Sequence, residues 1–128
     1  MIVGRVTSDD VPVITLVVAG QTWAVIIDMG FNGDLELPVV LRAFLNARFA
    51  GRVRSLLAAG QSIVEDRYLV DFPFDGQTVV AVATFVPGDE ILIGTNLLRA
   101  YRLEINFVAR TVLLERVEAA GADAAAGE

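Results

Sequence analysis

The chain has no histidine, no cysteine and no lysine. Each absence removes chemistry. Without histidine there is no Ser-His-Asp or Cys-His nucleophile, no imidazole base and no ordinary catalytic zinc site. Without cysteine there are no disulfides and no thiolate chemistry, which fits a reducing compartment. Without lysine, and with ten arginines scattered against sixteen carboxylates, the net charge is −6. That balance argues against a general nucleic-acid surface, because phosphates need cations to neutralise them. Long apolar runs are missing too: charges interrupt every candidate membrane span. Met1-Ile2-Val3-Gly4-Arg5 lacks the basic segment and long apolar run of a signal peptide. A cytoplasmic protein with no membrane segment is expected. Any acid or base chemistry must come from carboxylates, tyrosine or water.

What the chain does have is apolar sequence, 55% of 128 residues, with a mean hydropathy of +0.59. One domain of this length buries a substantial core. The excess predicts a fully buried sheet, a large subunit interface, or both. Strands are expected at Met1–Thr7, Val11–Ala19, Thr22–Ile27, Leu35–Leu37, Val53–Leu57, Ser62–Phe72, Gln77–Val86, Ile91–Ile93, Leu103–Phe107 and Thr111–Val117. Gly20-Gln21 and Asp75-Gly76 read as hairpin turns. Pro38 opens a short predicted helix reaching about Arg48, and Asn96–Tyr101 has helical spacing. Residues 1–118 form the predicted domain. The Ala, Gly and acidic residues of 119–128 cannot bury enough to order themselves and are expected to be a disordered tail. Many short strands at close spacing with one or two short helices indicate an all-β, closed or sandwiched structure.

The chemistry concentrates in Val25-Ile26-Ile27-Asp28-Met29-Gly30-Phe31-Asn32-Gly33-Asp34-Leu35. Three aliphatic residues deliver a carboxylate onto a turn that permits tight backbone. Desolvation penalises that charge, so the carboxylate is either satisfied locally by turn amides or used in chemistry. Asp34 and Glu36 alternate with apolar Leu35 and Leu37, which predicts an exposed edge rather than a carboxylate metal site with Asp28. Asn96 reads as a helix cap, Trp23 and Tyr101 as core, and Glu65, Asp66 and Asp71 as solvated.

An apolar strand, Asp28-Met29-Gly30, a short strand, a glycine-tipped hairpin and then Ile91-Leu92-Ile93-Gly94-Thr95-Asn96-Leu97-Leu98 resemble the single-lobe, retropepsin-like aspartic proteases of prokaryotic type. Spacing and order agree from about Val11 to Phe107. The resemblance implies an acid-protease-like closed β-barrel of one lobe. It implies Asp28 as the catalytic residue, in an active-site loop of Met29, Gly30, Phe31, Asn32 and Gly33. Gly94, Asn96 and Leu97 would support that loop from beneath. Leu57, Ala58, Ala59, Gly60 and Gln61 would form a flap over an extended peptide or protein substrate. No second apolar-Asp-x-Gly occurs, so the resemblance implies a homodimer with one Asp per subunit. It implies no metal and no cofactor. The chain departs from the family at Met29, where the family has Thr or Ser, and at Ala59, where relatives often have Asp. A methionine lacks the hydroxyl that clasps the two loops together, which implies weakened hydrolysis. The alternative is a catalytically inactive β-barrel dimer that binds a peptide or partner protein. Thr111–Val117 either completes the barrel or builds the dimer interface.

Overall fold

The computed structural model describes residues 1–117; the expected tail, 119–128, lies outside them. Ten strands form one sheet: β1 Ile2–Val6, β2 Pro12–Val18, β3 Gln21–Ile27, β4 Leu35–Pro38, β5 Arg48–Leu56, β6 Ser62–Phe74, β7 Gln77–Val86, β8 Ile91–Ile93, β9 Tyr101–Asn106 and β10 Thr111–Arg116. Their order across the sheet is β5-β6-β7-β4-β8-β3-β2-β1-β10-β9. Neighbours are antiparallel except β3 with β8 and β4 with β7. No helix among the described residues is long and apolar enough to cross a membrane.

The short parallel strands lie in the middle because they are the most apolar. Val25, Ile27, Leu35, Leu37, Ile91 and Ile93 are all buried. Such near-continuous aliphatic runs suit strands covered on both faces. Longer strands alternate, as β6 does at Val70, Phe72 and Phe74, and feed the same core. Trp23 and Tyr101 pack against it as partly buried side chains, in keeping with their reading as core. Two hairpin turns place both central residues at positive φ. Ala19 and Gly20 stand at 53° and 80°, Asp75 and Gly76 at 54° and 75°. That geometry matches the twist of antiparallel strands. It puts the first turn one residue earlier than Gly20-Gln21, since Gln21 already pairs with Val18.

Three expectations are corrected. The sheet is not closed into a barrel: β5 and β9 are its free edges. The sheet curls until β2 packs against β6, so the faces are covered without closing the hydrogen-bond ladder. The far half of the β5–β6 hairpin runs out from the body with mostly exposed side chains, which leaves β5 nothing to pair with on its other side.

The helix from Pro38 to Arg48 is a single 3-10 helix, Val39–Phe44. Pro38 is still extended and pairs with Val86. The start has no side-chain cap, and two β-branched valines follow it, so little favours continuation. Leu41 is the buried residue within it, and Asn46 turns the chain at φ 51° into β5. Asn96–Tyr101 is not helical either. It makes two successive turns, closed by Leu98 N donating to Thr95 O at 3.1 Å and Tyr101 N donating to Leu98 O at 2.9 Å. Tyr101 already belongs to β9, opposite Arg116, so too few residues remain for a helix to propagate.

Candidate active site

Strand β3 ends by handing Asp28 to the loop. Asp28 N donates to Ile93 O at 2.9 Å, one step beyond the last β3–β8 pair. The carboxylate then turns back on its own loop, where Oδ1 accepts Gly30 N at 3.0 Å. Phe31 N donates to Asp28 O at 3.2 Å and closes the turn. Met29 occupies the turn and is 59% exposed. Asp28 itself is half-buried. Local satisfaction and availability therefore coexist: one carboxylate oxygen holds the turn, and Oδ2 accepts no bond among the described residues.

The segment after β8 grips the rest of the loop. Gly94 N donates to Asp34 O at 2.9 Å, Thr95 N to Phe31 O at 2.8 Å, and Asn96 N to Gly33 O at 3.1 Å. A Cβ on residue 94 would lie 2.7 Å from Phe31 O and 2.8 Å from Phe31 Cδ2, and nearer still to Gly33 O. Only glycine permits that approach. Leu97 is partly buried and Leu98 buried against the core, which pins the segment from below.

Asp34 was expected on an exposed edge with Glu36. Strand β4 is instead interior, between β7 and β8, and Asp34 is half-buried beside it. Its Oδ1 accepts Asn96 Nδ2 at 2.7 Å and its Oδ2 accepts Val82 N at 2.9 Å. Asn96 is thus a partner of Asp34 rather than a helix cap.

A groove of about 610 Å³ opens along the loop. Gly30 through Glu36 line it from the loop. Val53, Ser55, Leu56, Glu65 and Arg67 line it from the β5–β6 hairpin, and Val82, Ala83, Thr84 and Asn96 complete it. Glu65, expected to be merely solvated, is therefore a groove residue, while Asp66 and Asp71 form ion pairs with Arg52 and Arg48 at 2.9 Å. Burial pushes the Glu36 carboxyl above its usual range, and the charges of Glu65, Asp28 and Glu90 add to the shift. Glu36 has no hydrogen-bond or ion-pair partner among the described residues.

The five expected flap residues sit at the hairpin tip, where Leu57 N donates to Gln61 O at 2.7 Å. A 3-10 turn spans Ala58–Gly60, with Ala59 at φ 65° and Gly60 at φ 77°. Leu57, Ala59, Gly60 and Gln61 do not line the groove, which is covered by the hairpin shaft from Leu56 inward. The structure therefore brings together the active-site loop from Gly30, Asn96 and the hairpin shaft, and leaves Leu57, Ala59, Gly60 and Gln61 outside the groove. No group of three or more metal-binding side chains converges among the described residues.

This arrangement of loop, supporting segment and hairpin is the retropepsin-like fold. A retropepsin-like aspartic protease from Rickettsia conorii superposes with a TM-score of 0.63 at 16% identity, covering 89% of each chain. A foamy viral protease–reverse transcriptase, solved with double-stranded DNA, superposes with a TM-score of 0.55 at 18% identity. That match covers 73% of this chain and 16% of the viral one. No family model matches the sequence, and no curated protein does.

Proposed function

We propose that the chain is an aspartic endopeptidase-like protein that works as a homodimer and hydrolyses peptide bonds in extended segments. The observation that carries this reading is the Asp28 loop: a half-buried carboxylate at the end of a core strand, its backbone held by the Ile93–Asn96 segment, beside a groove under a hairpin. The similarity in fold to a retropepsin-like protease supports it.

Each chain supplies one such carboxylate. In the dimer, Asp28 meets the partner subunit's Asp28. Two carboxylates at that range cannot both ionise readily, so they hold one proton between them. The ionised one takes a proton from a bound water as the water oxygen attacks the scissile carbonyl carbon. The protonated one hydrogen-bonds the carbonyl oxygen and stabilises the charge that develops there. Collapse of the tetrahedral species then moves a proton to the leaving nitrogen. The substrate lies extended in the groove beneath the hairpin, where strand-like backbone bonding gives affinity and side-chain pockets give specificity.

One observation favours a second reading, a peptide-binding dimer without turnover. Met29, beside the carboxylate, offers neither donor nor acceptor of any strength. Misplacing a reacting group by about an ångström costs roughly a hundredfold in rate. The two readings separate on Met29→Thr. The peptidase reading expects acid-range cleavage of a peptide library that rises in this variant, by a protein that sediments as a dimer. A dimer that binds peptides without cleaving them, as wild type and as Met29→Thr, supports the second reading. A monomer at micromolar concentration contradicts the shared-proton mechanism.

A further inference from the structure

We infer that Asp34 is a positioning residue for hydrolysis: its carboxylate joins the Asp28 loop to strand β7 and so sets where the loop stands relative to the groove. The inference rests on the peptidase reading. The loop leaves β3 at Asp28 and rejoins the sheet at Leu35. The Ile93–Asn96 backbone holds its inner side. Where the loop rejoins the sheet, Leu35 pairs with Ala83 of β7, and Asp34 adds a side-chain link one residue earlier, through Val82 N at 2.9 Å. Strand β7 pairs with β6, and β6 carries the hairpin whose shaft covers the groove. That carboxylate therefore fixes the end of the loop that bears Asp28 onto β7, the strand paired with the hairpin strand β6. Residues from all these parts line one groove: Asp34, Glu36, Asn96, Val82, Glu65 and Val53.

The stereochemistry makes the link sensitive to a single atom. Two N–H donors converge on the carboxylate, Val82 N on Oδ2 and Asn96 Nδ2 on Oδ1. A carboxylate accepts both. In Asp34→Asn, one amide oxygen accepts from one donor, while the new NH2 faces the other. The side chain keeps its shape, but the Asn96 amide must turn over to accept that NH2, which breaks its contact with Arg99 at 3.4 Å, and the carboxylate charge is lost. The double variant Asp34→Asn with Asn96→Asp repairs this. Asn at 34 accepts from Val82 N and donates to Asp at 96. The second oxygen at 96 remains available to Arg99, whose Nη1 lies 3.4 Å from Asn96 Oδ1. The Asn96→Asp change alone sets two carboxylates against each other.

The test measures kcat and KM for peptide hydrolysis in wild type, Asp34→Asn, Asn96→Asp and the double variant. Tyr101→Phe serves as a control: it breaks a side-chain hydrogen bond outside the groove. Both single variants at the clamp lower kcat about tenfold or more, which is about 1.4 kcal/mol of transition-state stabilisation. KM changes less, the double variant recovers most of the loss, and Tyr101→Phe keeps wild-type kcat. If Asp34→Asn fails to fold, Asn96→Ala, which leaves the Val82 bond in place, gives a smaller loss in the same direction. Equal losses of kcat in Tyr101→Phe and Asp34→Asn, or no recovery in the double variant, would overturn the inference. Wild type that cleaves no peptide overturns the peptidase reading and this inference with it. Active wild type with an equally active Asp34→Asn overturns this inference alone.

Discussion

Replacing Gly94 with alanine puts a methyl group into the tightest contact of the site. Its Cβ would sit 2.7 Å from Phe31 O and 2.8 Å from Phe31 Cδ2, with Gly33 O closer still. Two of these three atoms are backbone oxygens of the Asp28 loop, so moving the Phe31 ring alone does not relieve the clash. Either the loop or the Gly94–Asn96 segment must move. Overpacking of this kind costs about 1–3 kcal/mol. Movement also stretches Gly94 N to Asp34 O and Asn96 N to Gly33 O, at about 1 kcal/mol each. The total, roughly 3–5 kcal/mol, is a large share of the 5–15 kcal/mol that holds a typical domain folded. At about 3–5 °C per kcal/mol for a chain of this size, Tm falls by roughly 10–25 °C. Gly30→Ala is the internal control. Its Cβ meets only Asp28 Oδ1, at 3.5 Å, an ordinary contact, and Gly30 is not at positive φ. Its stability stays within about 1 kcal/mol of wild type. Circular dichroism melts of the three proteins provide the assay. A Gly94→Ala protein as stable as wild type, or a Gly30→Ala protein equally damaged, would refute the packing argument.

Other perturbations follow from the same geometry. Burial and neighbouring charge raise the Glu36 pKa, so the folded state holds that proton more tightly than the unfolded chain. This contribution is complete below the ordinary carboxylate range and is lost as pH rises through the raised value. Glu36→Gln therefore raises Tm at neutral pH, with a gain that vanishes towards acid pH; a gain independent of pH contradicts the assignment. Tyr101→Phe removes the O–H that donates to Asp75 Oδ2 at 2.8 Å. It lowers ΔG of unfolding by about 1 kcal/mol, read from urea midpoints at constant m; an unchanged midpoint would show that bond to be idle.

Local chemistry made some of this molecule legible from residues alone. Gln77–Val86 and Ile91–Ile93 fall on their expected bounds, because Asp75-Gly76 marks a turn that needs positive φ and Gly94 interrupts an aliphatic run. The Asp28 loop was legible for a related reason: three aliphatic residues carry an acid into a Gly-x-x-Gly turn. What escaped depends on distant partners. Asp34 finds Val82 and Asn96, 48 and 62 residues away, and alternation within β4 says nothing about either. Pro38 looked like a helix start, but pairing with Val86 keeps it in a strand. The open edge at β5 escaped because strand count and turn spacing do not show whether the first and last strands of a sheet meet. The hairpin falls where it was expected in sequence, and the shaft residues Val53, Ser55, Leu56, Glu65 and Arg67, which the sequence did not single out as groove residues, line the groove. The tip was chosen by its glycine, while the groove is set by where the sheet curls.

The central claim is that Asp28 does the chemistry. Cleavage of a peptide library at acid pH, compared between wild type and Asp28→Asn, tests it most directly. The account predicts cleavage by wild type that is blocked by a statine-type inhibitor and absent from Asp28→Asn, while both proteins keep the same fold and sediment alike. Cleavage that persists unchanged in Asp28→Asn would contradict it.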